Sequence, residues 1–268
     1  MGREPIFNMP PLIPILIALF VLVELVLGYW GPEAASDIYL TFGFIPADLA
    51  DRFGSDVFRA LEEASRLKPD SEDLAGLAEI AAYLRAHPSA LPFSLISYSF
   101  LHAGWPHLII NSVWLMAFGS VVLRRIGTIR FLALFALSSI GAALFHFVTH
   151  SGDVMPVIGA SGAVSGIMAA AIRFVFQPGE SLSGFSLDAS GTYRAPALPL
   201  VKTFRDRRTL RFILLWLAIN IVTGLAGVPL GLGAGSIAWE AHVGGFITGF
   251  IVFSWVDSPM EEDPSVLN

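Results

Sequence analysis

One serine flanked by glycines and one histidine lie in two stretches of the chain that carry almost no charge. The serine is Ser161, within the segment GASG at 159–162, and the histidine is His242. A serine hydroxyl becomes a nucleophile when an adjacent imidazole accepts its proton. If folding brings the two residues together, the pair can attack a carbonyl group at membrane depth.

The composition is that of a membrane protein. Hydrophobic residues make up 54% of the 268 residues and charged residues only 14%, with a mean hydropathy of +0.68; a soluble domain is nearer a quarter charged. Six nearly charge-free runs have the bilayer-spanning length of about 17 to 25 residues. They cover approximately 11–30, 107–123, 131–150, 154–176, 212–230 and 237–256. The sequence predicts an all-α polytopic membrane protein with six transmembrane helices.

These runs divide the chain into a short N-terminal segment, 1–10, a membrane domain, 11–256, and an acidic C-terminal tail, 257–268. Two connectors are long, namely 31–106 and 177–211. Within the first, apolar residues recur at helical spacing in two places, around Val57 to Leu67 and Leu77 to Leu84. We therefore expect two short amphipathic helices in this connector, which could lie on the membrane surface.

Arginine and lysine mark one side of the membrane. The connector 124–130 holds three arginines and 177–211 holds five arginines and one lysine, whereas 151–153 and 231–236 hold no basic residue. The positive-inside rule places basic connectors in the cytoplasm. Both termini are then cytoplasmic, and the long connector 31–106 lies outside.

Polar residues on three runs share this outer side. His107 and Asn111 are four residues apart, so they project from one helix face in the outer half of their run. If the runs are helical throughout, Ser161 lies roughly 10 Å and His242 roughly 7 Å below the outer ends of theirs. Such agreement in side and depth is unexpected for scattered polar residues.

Small residues at intervals of four occur on both runs that carry the serine and the histidine. They are Gly162 and Gly166 on one run, and Gly245 and Gly249 on the other. Such ladders let membrane helices approach closely. Because His242 shares a face with the second pair, we expect the two helices to pack together and bring imidazole and hydroxyl within hydrogen-bond reach.

Three segments together resemble the signatures of rhomboid intramembrane serine proteases. They are GASG at 159–162, HLIIN at 107–111 and AHVGGFITG at 241–249, and the upstream FLHAGWPH at 100–107 is also similar to the family. The resemblance extends over about 95–256, with the segments in the family's order and spacing. It implies a six-helix rhomboid-like bundle, here with a long outer first loop.

The resemblance also implies a role for each residue. Ser161 is the nucleophile, His242 the general base and then acid, and His107 with Asn111 donate to the oxyanion beside the Ser161 backbone N–H. The implied activity is a serine endopeptidase that cuts single-span membrane proteins near the outer boundary of the cell membrane, the inner membrane in a bacterium. Its partners are these substrates and the lipid bilayer, and no cofactor or metal is implied.

The sequence departs from the family pattern in two places. Many members carry an aromatic residue four positions after the serine, against which the catalytic imidazole stacks, and this chain has Ser165 there. The Trp-Arg pair found in the first outer loop of many members is also missing. The sequence therefore does not identify the group that holds the His242 ring. Glu240 is two positions away and faces roughly the opposite side of a helix, which favours a dyad over a triad.

Other functions are less well supported. A rhomboid-like binder of membrane helices without activity would be expected to lack Ser161 or His242, and a transporter to show broken helices in two related halves. His146 and His150 are four apart but lack the H-E-x-x-H pattern of a metalloprotease, and we expect them to be interfacial. The absence of cysteine excludes a cysteine nucleophile, and the basic residues form no stripe for nucleic acid.

Overall fold

The computed structural model describes residues 9–176, 196–226 and 238–257. Within these ranges the chain is helical and contains no β-strand, in agreement with the predicted all-α class. The tail after Asp257, nearly all of the segment 1–10, part of the connector 177–211 and all of the connector 231–236 lie outside the described residues. The helices are α1 Leu12–Trp30, α2 Pro32–Phe42, α3 Pro46–Arg52, α4 Val57–Leu67, α5 Glu72–Ala86, α6 Ser94–Ser97, α7 Trp105–Trp114, α8 Ser120–Thr149, α9 Ser161–Val175, α10 Leu200–Thr203, α11 Arg207–Ala226 and α12 Trp239–Val256.

Two helical segments of the described chain are long and apolar enough to cross a membrane. One is α1, and the other is the continuous segment Trp105–Thr149, in which a π-helical turn joins α7 to α8. The second segment bends at Gly127, where φ is +75° and the backbone leaves the helical conformation. It therefore consists of two helical segments, at the positions of the predicted spans 107–123 and 131–150. The total of six spans remains a prediction.

The helix that carries the serine begins later than the apolar run around it. The run covers 154–176, but α9 starts only at Ser161. The preceding segment is held extended because Val157 and Phe44 exchange two backbone hydrogen bonds of 2.8 and 3.1 Å. Pro156 also has no N–H to donate to a helix. The assumption of a helix throughout the run is thus wrong, and Ser161 lies at a helix start.

The long connector folds into compact helical structure. The two helices expected there are confirmed as α4 and α5. Their apolar sides pack on each other through Phe58, Ala81 and Leu84, and this cluster also contains Ile45 and Val154. The connector is thereby packed on the segment that leads to α9, and these apolar side chains are covered by protein.

The helix α9 forms the centre of the molecule. All residues from 162 to 174 are buried, and they are mostly small or aliphatic. Helices α8 and α12 and the π-helical turn pack around it. A position enclosed by other helices keeps the backbone and polar groups of α9 away from lipid.

The predicted glycine contact between two helices is confirmed for α9 and α12. A Cβ atom placed on Gly245 would overlap the backbone of Gly162, and one on Gly249 would overlap the backbone of Gly166. A Cβ atom on Gly166 would in turn lie 2.8 Å from the Gly245 carbonyl oxygen. The two helices are therefore in direct backbone contact beside Ser161.

The C-terminal end of α12 is fixed by two buried arginines. Arg125 donates two hydrogen bonds to the Asp257 carboxylate, of 2.6 and 3.0 Å. Arg173 donates to Ser254 Oγ at 2.7 Å and to the Leu198 carbonyl oxygen at 3.0 Å. Paired and hydrogen-bonded charges are tolerated in an apolar interior. These contacts fix α12 at the end opposite His242.

Candidate active site

Ser161 is the first residue of α9 and remains partly exposed, although the residues that follow it are buried. The first hydrogen bond of the helix runs from the Val164 N–H to the Ala160 carbonyl at 2.9 Å. The N–H groups of the first turn have no partner within the helix and carry partial positive charge. The serine hydroxyl therefore lies beside donors suited to a negatively charged oxygen.

Gly159 sets the approach to this helix. Its φ is +118°, a conformation that glycine adopts without a steric penalty, and its N–H donates to the Tyr98 carbonyl oxygen at 2.9 Å. A Cβ atom on Gly159 would lie 2.6 Å from His107 Nε2 and 3.7 Å from Ser161 Oγ. The imidazole of His107 and the hydroxyl of Ser161 thus border one small space above Gly159.

The hydrogen bonds of His107 determine which ring nitrogen can donate. Its Nδ1 accepts a hydrogen bond from the backbone N–H of Ala103, with a donor to acceptor distance of 3.3 Å. A nitrogen that accepts carries no proton, so in the neutral ring the proton is on Nε2. The Nε2–H group is the one beside Gly159, and it is available to donate toward Ser161.

Asn111 is buried one turn after His107 on α7, with 2% of its surface exposed. Its Nδ2 donates to the His107 carbonyl oxygen at 3.1 Å. An amide nitrogen has two hydrogens, so this bond leaves a second one to donate elsewhere. The bond also fixes the rotation of the amide relative to His107.

His242 lies in the first turns of α12, and its ring is held by α11. The ring Nδ1 forms a hydrogen bond with Asn220 Oδ1. Asn220 Nδ2 donates to the Trp216 carbonyl oxygen at 2.7 Å, which identifies the amide oxygen as the atom that faces the imidazole. Nδ1 is therefore the protonated nitrogen, and the lone pair of the neutral ring is on Nε2. A base with this tautomer accepts its proton at Nε2.

Asn220 is a functional candidate that the sequence analysis missed. It is an uncharged polar residue in the apolar run 212–230, and polar residues are costly inside a membrane. That signal was present in the sequence. Its partner could not be predicted because the contact depends on how α11 packs against α12. Trp216 and Phe246, one turn away on each helix, stack at 4.9 Å and support the same contact.

The structure brings Ser161 and His242 to the same level of two contacting helices. A Cβ atom on Gly162, next to Ser161, would lie 3.7 Å from the carbonyl oxygen of Ala241, next to His242. Within the described part of the chain, the serine hydroxyl forms no hydrogen bond with the imidazole. Hydrogen bonds between catalytic groups are often long before substrate binds.

The remaining histidines have different surroundings. His102 is buried, and its ring lies 5.1 Å from that of Phe20 and 5.2 Å from that of His107. It therefore packs behind the candidate oxyanion donor. His146, in the last turn of α8, is also buried, because the start of α12 covers it with Glu240. The Glu240 carboxylate lies next to His146 and His150 at the end of α8.

The described chain is helical, and its buried central helix begins at Ser161, beside two histidines and an asparagine. This combination defines a specific class of membrane protein. The sequence matches the Rhomboid domain family over residues 91–259, more than half of the chain. The chain belongs to the rhomboid family, whose members are embedded in membranes.

Several known proteins are similar to it. RHOMBOID-like protein 4 of Arabidopsis thaliana is 24% identical over 91% of this chain and 52% of its own length. RHOMBOID-like protein 5 of the same plant is 31% identical over 46% of this chain and 39% of its own length. "Putative rhomboid protease YdcA" of Bacillus subtilis is 40% identical over 27% of this chain and 36% of its own length. The chain thus spans at most about half the length of these relatives.

Proposed function

We propose that the protein is an intramembrane serine endopeptidase that uses Ser161 and His242 as a catalytic dyad. The observation that supports this most strongly is the tautomer of His242. Its Nδ1 is engaged by Asn220, so the basic Nε2 is free on a helix in backbone contact with the start of α9. The Nε2 lone pair is therefore the one that would accept the Ser161 proton.

In the proposed reaction, His242 Nε2 accepts the Ser161 proton and the serine oxygen attacks the substrate carbonyl carbon. The resulting oxyanion is stabilised by the Nε2–H of His107, the second amide hydrogen of Asn111 and the first-turn N–H groups of α9. Each such donor is worth about 3 kcal/mol in the transition state. The imidazolium then donates its proton to the leaving amine, which releases the first product.

The acyl-enzyme is hydrolysed by the same groups. His242 accepts a proton from a water molecule, the hydroxide attacks the ester carbon, and Ser161 leaves with the proton returned to it. This step needs water at membrane depth. The partial exposure of Ser161, in contrast to the buried residues after it, supports a path for water to the hydroxyl.

Asn220 acts in this scheme as a positioning residue. It keeps the Nδ1 proton in place and orients the ring, and it stabilises the imidazolium through the amide oxygen dipole. The position that carries an aromatic residue in many family members is Ser165, so no ring stacks on the imidazole from there. We propose that a hydrogen bond from α11 replaces that stacking here.

The proposed substrate is a single-span membrane protein, cut near the outer boundary of the membrane. Such a helix must unwind locally before a peptide bond can enter the site, so helix-breaking residues in the substrate favour cleavage. The proposed topology has six spans, both termini in the cytoplasm and α2 to α6 outside, as the basic connectors indicate.

A second candidate is a rhomboid-like protein that binds membrane helices without cutting them. The missing hydrogen bond between Ser161 and His242 is the observation that favours it. The presence of the whole residue set, with both histidines in the required tautomers, favours the enzyme. A serine-reactive fluorophosphonate distinguishes the two candidates.

We expect this reagent to label the intact protein and the Ser165→Ala variant, which removes a buried hydroxyl of the same helix. Ser161→Ala should not be labelled, because only an activated serine reacts with the phosphorus centre. Equal labelling of Ser161→Ala and the intact protein, or no labelling of either, would favour the binding protein.

A further inference from the structure

Three residues that take no part in the proposed reaction form a cluster at the ends of two helices. His146 and His150 lie in the last turn of α8 and just after it, and their rings are stacked, with centroids 4.9 Å apart and planes 11° from parallel. Glu240 lies in the first turn of α12 and places its carboxylate next to both rings.

The distances within this cluster leave room for an ion. Glu240 Oε2 is 3.8 Å from His146 Nδ1, and Glu240 Oε1 is 3.8 Å from His150 Nε2. One ligand atom from each of the three residues lies within 4.8 Å of the other two. These separations exceed normal hydrogen bonds. The Glu240 carboxylate therefore lies next to both rings without a direct hydrogen bond to either.

The burial of His146 is a second, independent indication. Only 4% of its surface is exposed, yet neither ring nitrogen has a hydrogen-bond partner. A buried polar group without a partner destabilises the fold and calls for an explanation such as a water molecule or an ion. The Glu240 side chain is only 12% exposed. Without a cation beside it, its carboxylate would be a nearly buried charge. A cation between the three residues would satisfy both side chains.

We propose that this cluster binds a divalent transition-metal ion of the zinc class. Two imidazole nitrogens and one carboxylate oxygen form a ligand set that Zn²⁺ prefers, with bonds of about 2.1 Å. Ligand atoms in a tetrahedral site of this size are roughly 3.4 Å apart. One ligand atom from each residue already lies within 4.8 Å of the other two, so small side-chain movements would bring the three to an ion. The i, i+4 spacing of the two histidines presents both rings on one helix face.

The fourth coordination position faces the exterior. The His150 side chain is 46% exposed, so ions and water reach the cluster from that side. The ion would connect the end of α8 to the start of α12, two residues before His242. It would therefore hold the turn that carries the proposed base, without contact to the reacting atoms. Binding of the ion does not require catalysis by Ser161.

Binding is tested with the Ser161→Ala protein, so that loss of activity cannot affect the result. The protein carries a streptavidin-binding tag, because an oligohistidine tag would itself bind Zn²⁺, and it is treated with a chelator before titration with ZnCl₂. We expect one Zn²⁺ per chain to be retained after desalting, measured by mass spectrometry of the metal, and a higher Tm. Mg²⁺, which prefers oxygen ligands, should be neither retained nor stabilising.

Variants of the three residues identify the site. Replacement of a residue that only orients a metal ligand weakens metal binding by roughly 10-fold to 100-fold. Replacement of a ligand itself costs more, so His150→Ala and Glu240→Gln should weaken Zn²⁺ binding by at least about 100-fold. His150 is exposed, so its replacement leaves the buried packing intact. His87→Ala, which removes an exposed histidine that stacks on Tyr83 of α5, is the matched control and should bind normally. Failure of the Ser161→Ala protein to retain Zn²⁺ would overturn the proposal. So would retention of Zn²⁺ by His150→Ala and Glu240→Gln at the level of that protein.

Discussion

The amide oxygen of Asn220 accepts a hydrogen bond from Nδ1 of His242, and so joins α11 to the first turns of α12. This contact selects one tautomer of the imidazole and orients Nε2 for proton transfer. It also means that a movement of α11 relative to α12 would disturb the proposed base directly. The contact therefore connects helix packing to the chemistry of the site.

Replacement of Asn220 by leucine should lower kcat with little change in KM, because the contact positions the base and does not bind substrate. At metal sites, loss of a group that orients a histidine ligand lowers metal affinity or activity by roughly 10-fold to 100-fold. We expect a decrease in kcat of the same order here. Asn220→Asp keeps an acceptor and should retain more activity than Asn220→Leu. Its negative charge favours the imidazolium, so the acidic limb of the pH profile should move to higher pH.

The matched control is Thr223→Val, on the same helix. The hydroxyl that it removes donates hydrogen bonds only to backbone carbonyl oxygens of α11. The kcat and pH profile of this variant should remain those of the intact protein. Equal activity of Asn220→Leu and Thr223→Val would show that the imidazole needs no support from α11.

Substitution of Asn111 distinguishes two possible roles of its amide, as an oxyanion donor or as a structural group. As a donor it acts mainly in the transition state, so Asn111→Ala should lower kcat by roughly 100-fold or more with little change in KM. As a structural amide it would contribute about 1 kcal/mol to stability, and its loss would lower Tm while activity survived. Turnover and Tm are measured on one detergent preparation, with Ser112→Ala, which removes a neighbouring buried hydroxyl, as control. A destabilised but fully active Asn111→Ala protein would exclude the donor role.

The glycine contact between α9 and α12 predicts a steep penalty for added volume. Gly249→Ala should lower the free energy of unfolding by about 1 to 3 kcal/mol, because the new methyl group would overlap the Gly166 backbone. Gly28→Ala, on the apolar helix α1, is the matched control, because a Cβ atom at Gly28 would meet nothing within 4 Å. Thermal unfolding of both variants tests the contact. Equal Tm values would mean that the two helices are not in backbone contact.

The orientation in the membrane is tested with single cysteines, since the chain has none of its own. A cysteine in place of Gly152 should react with a membrane-impermeant thiol reagent added to intact cells, because 151–153 is predicted to lie outside. A cysteine in place of Ser190 should react only after the membrane is dissolved. The reverse pattern would place Ser161 near the cytoplasmic face.

Much of the site could be predicted from the sequence because its spacing is local. His107 and Asn111 share a helix face by their separation of four residues, and the glycines beside Ser161 and His242 already indicate two closely packed helices. These features depend on helix geometry alone. They hold whatever the relative rotation of the other helices.

The remaining features depend on contacts between distant segments. The late start of α9 results from the pairing of Val157 with Phe44, more than a hundred residues earlier in the chain. The partners of Asn220 and Glu240 depend on how α12 is rotated against α11 and α8. Hydropathy and residue spacing carry no information about such rotations.

The central claim is that Ser161 and His242 act as one catalytic unit, and cleavage of a transmembrane substrate tests it most directly. The purified protein is reconstituted with a single-span substrate whose outer boundary contains helix-breaking residues, and product formation is followed on gels. Ser161→Ala, His242→Ala and the double variant should all lose cleavage to the same extent while they keep the Tm of a folded protein, because each substitution disables the same step. Cleavage by Ser161→Ala at the rate of the intact protein would contradict the account.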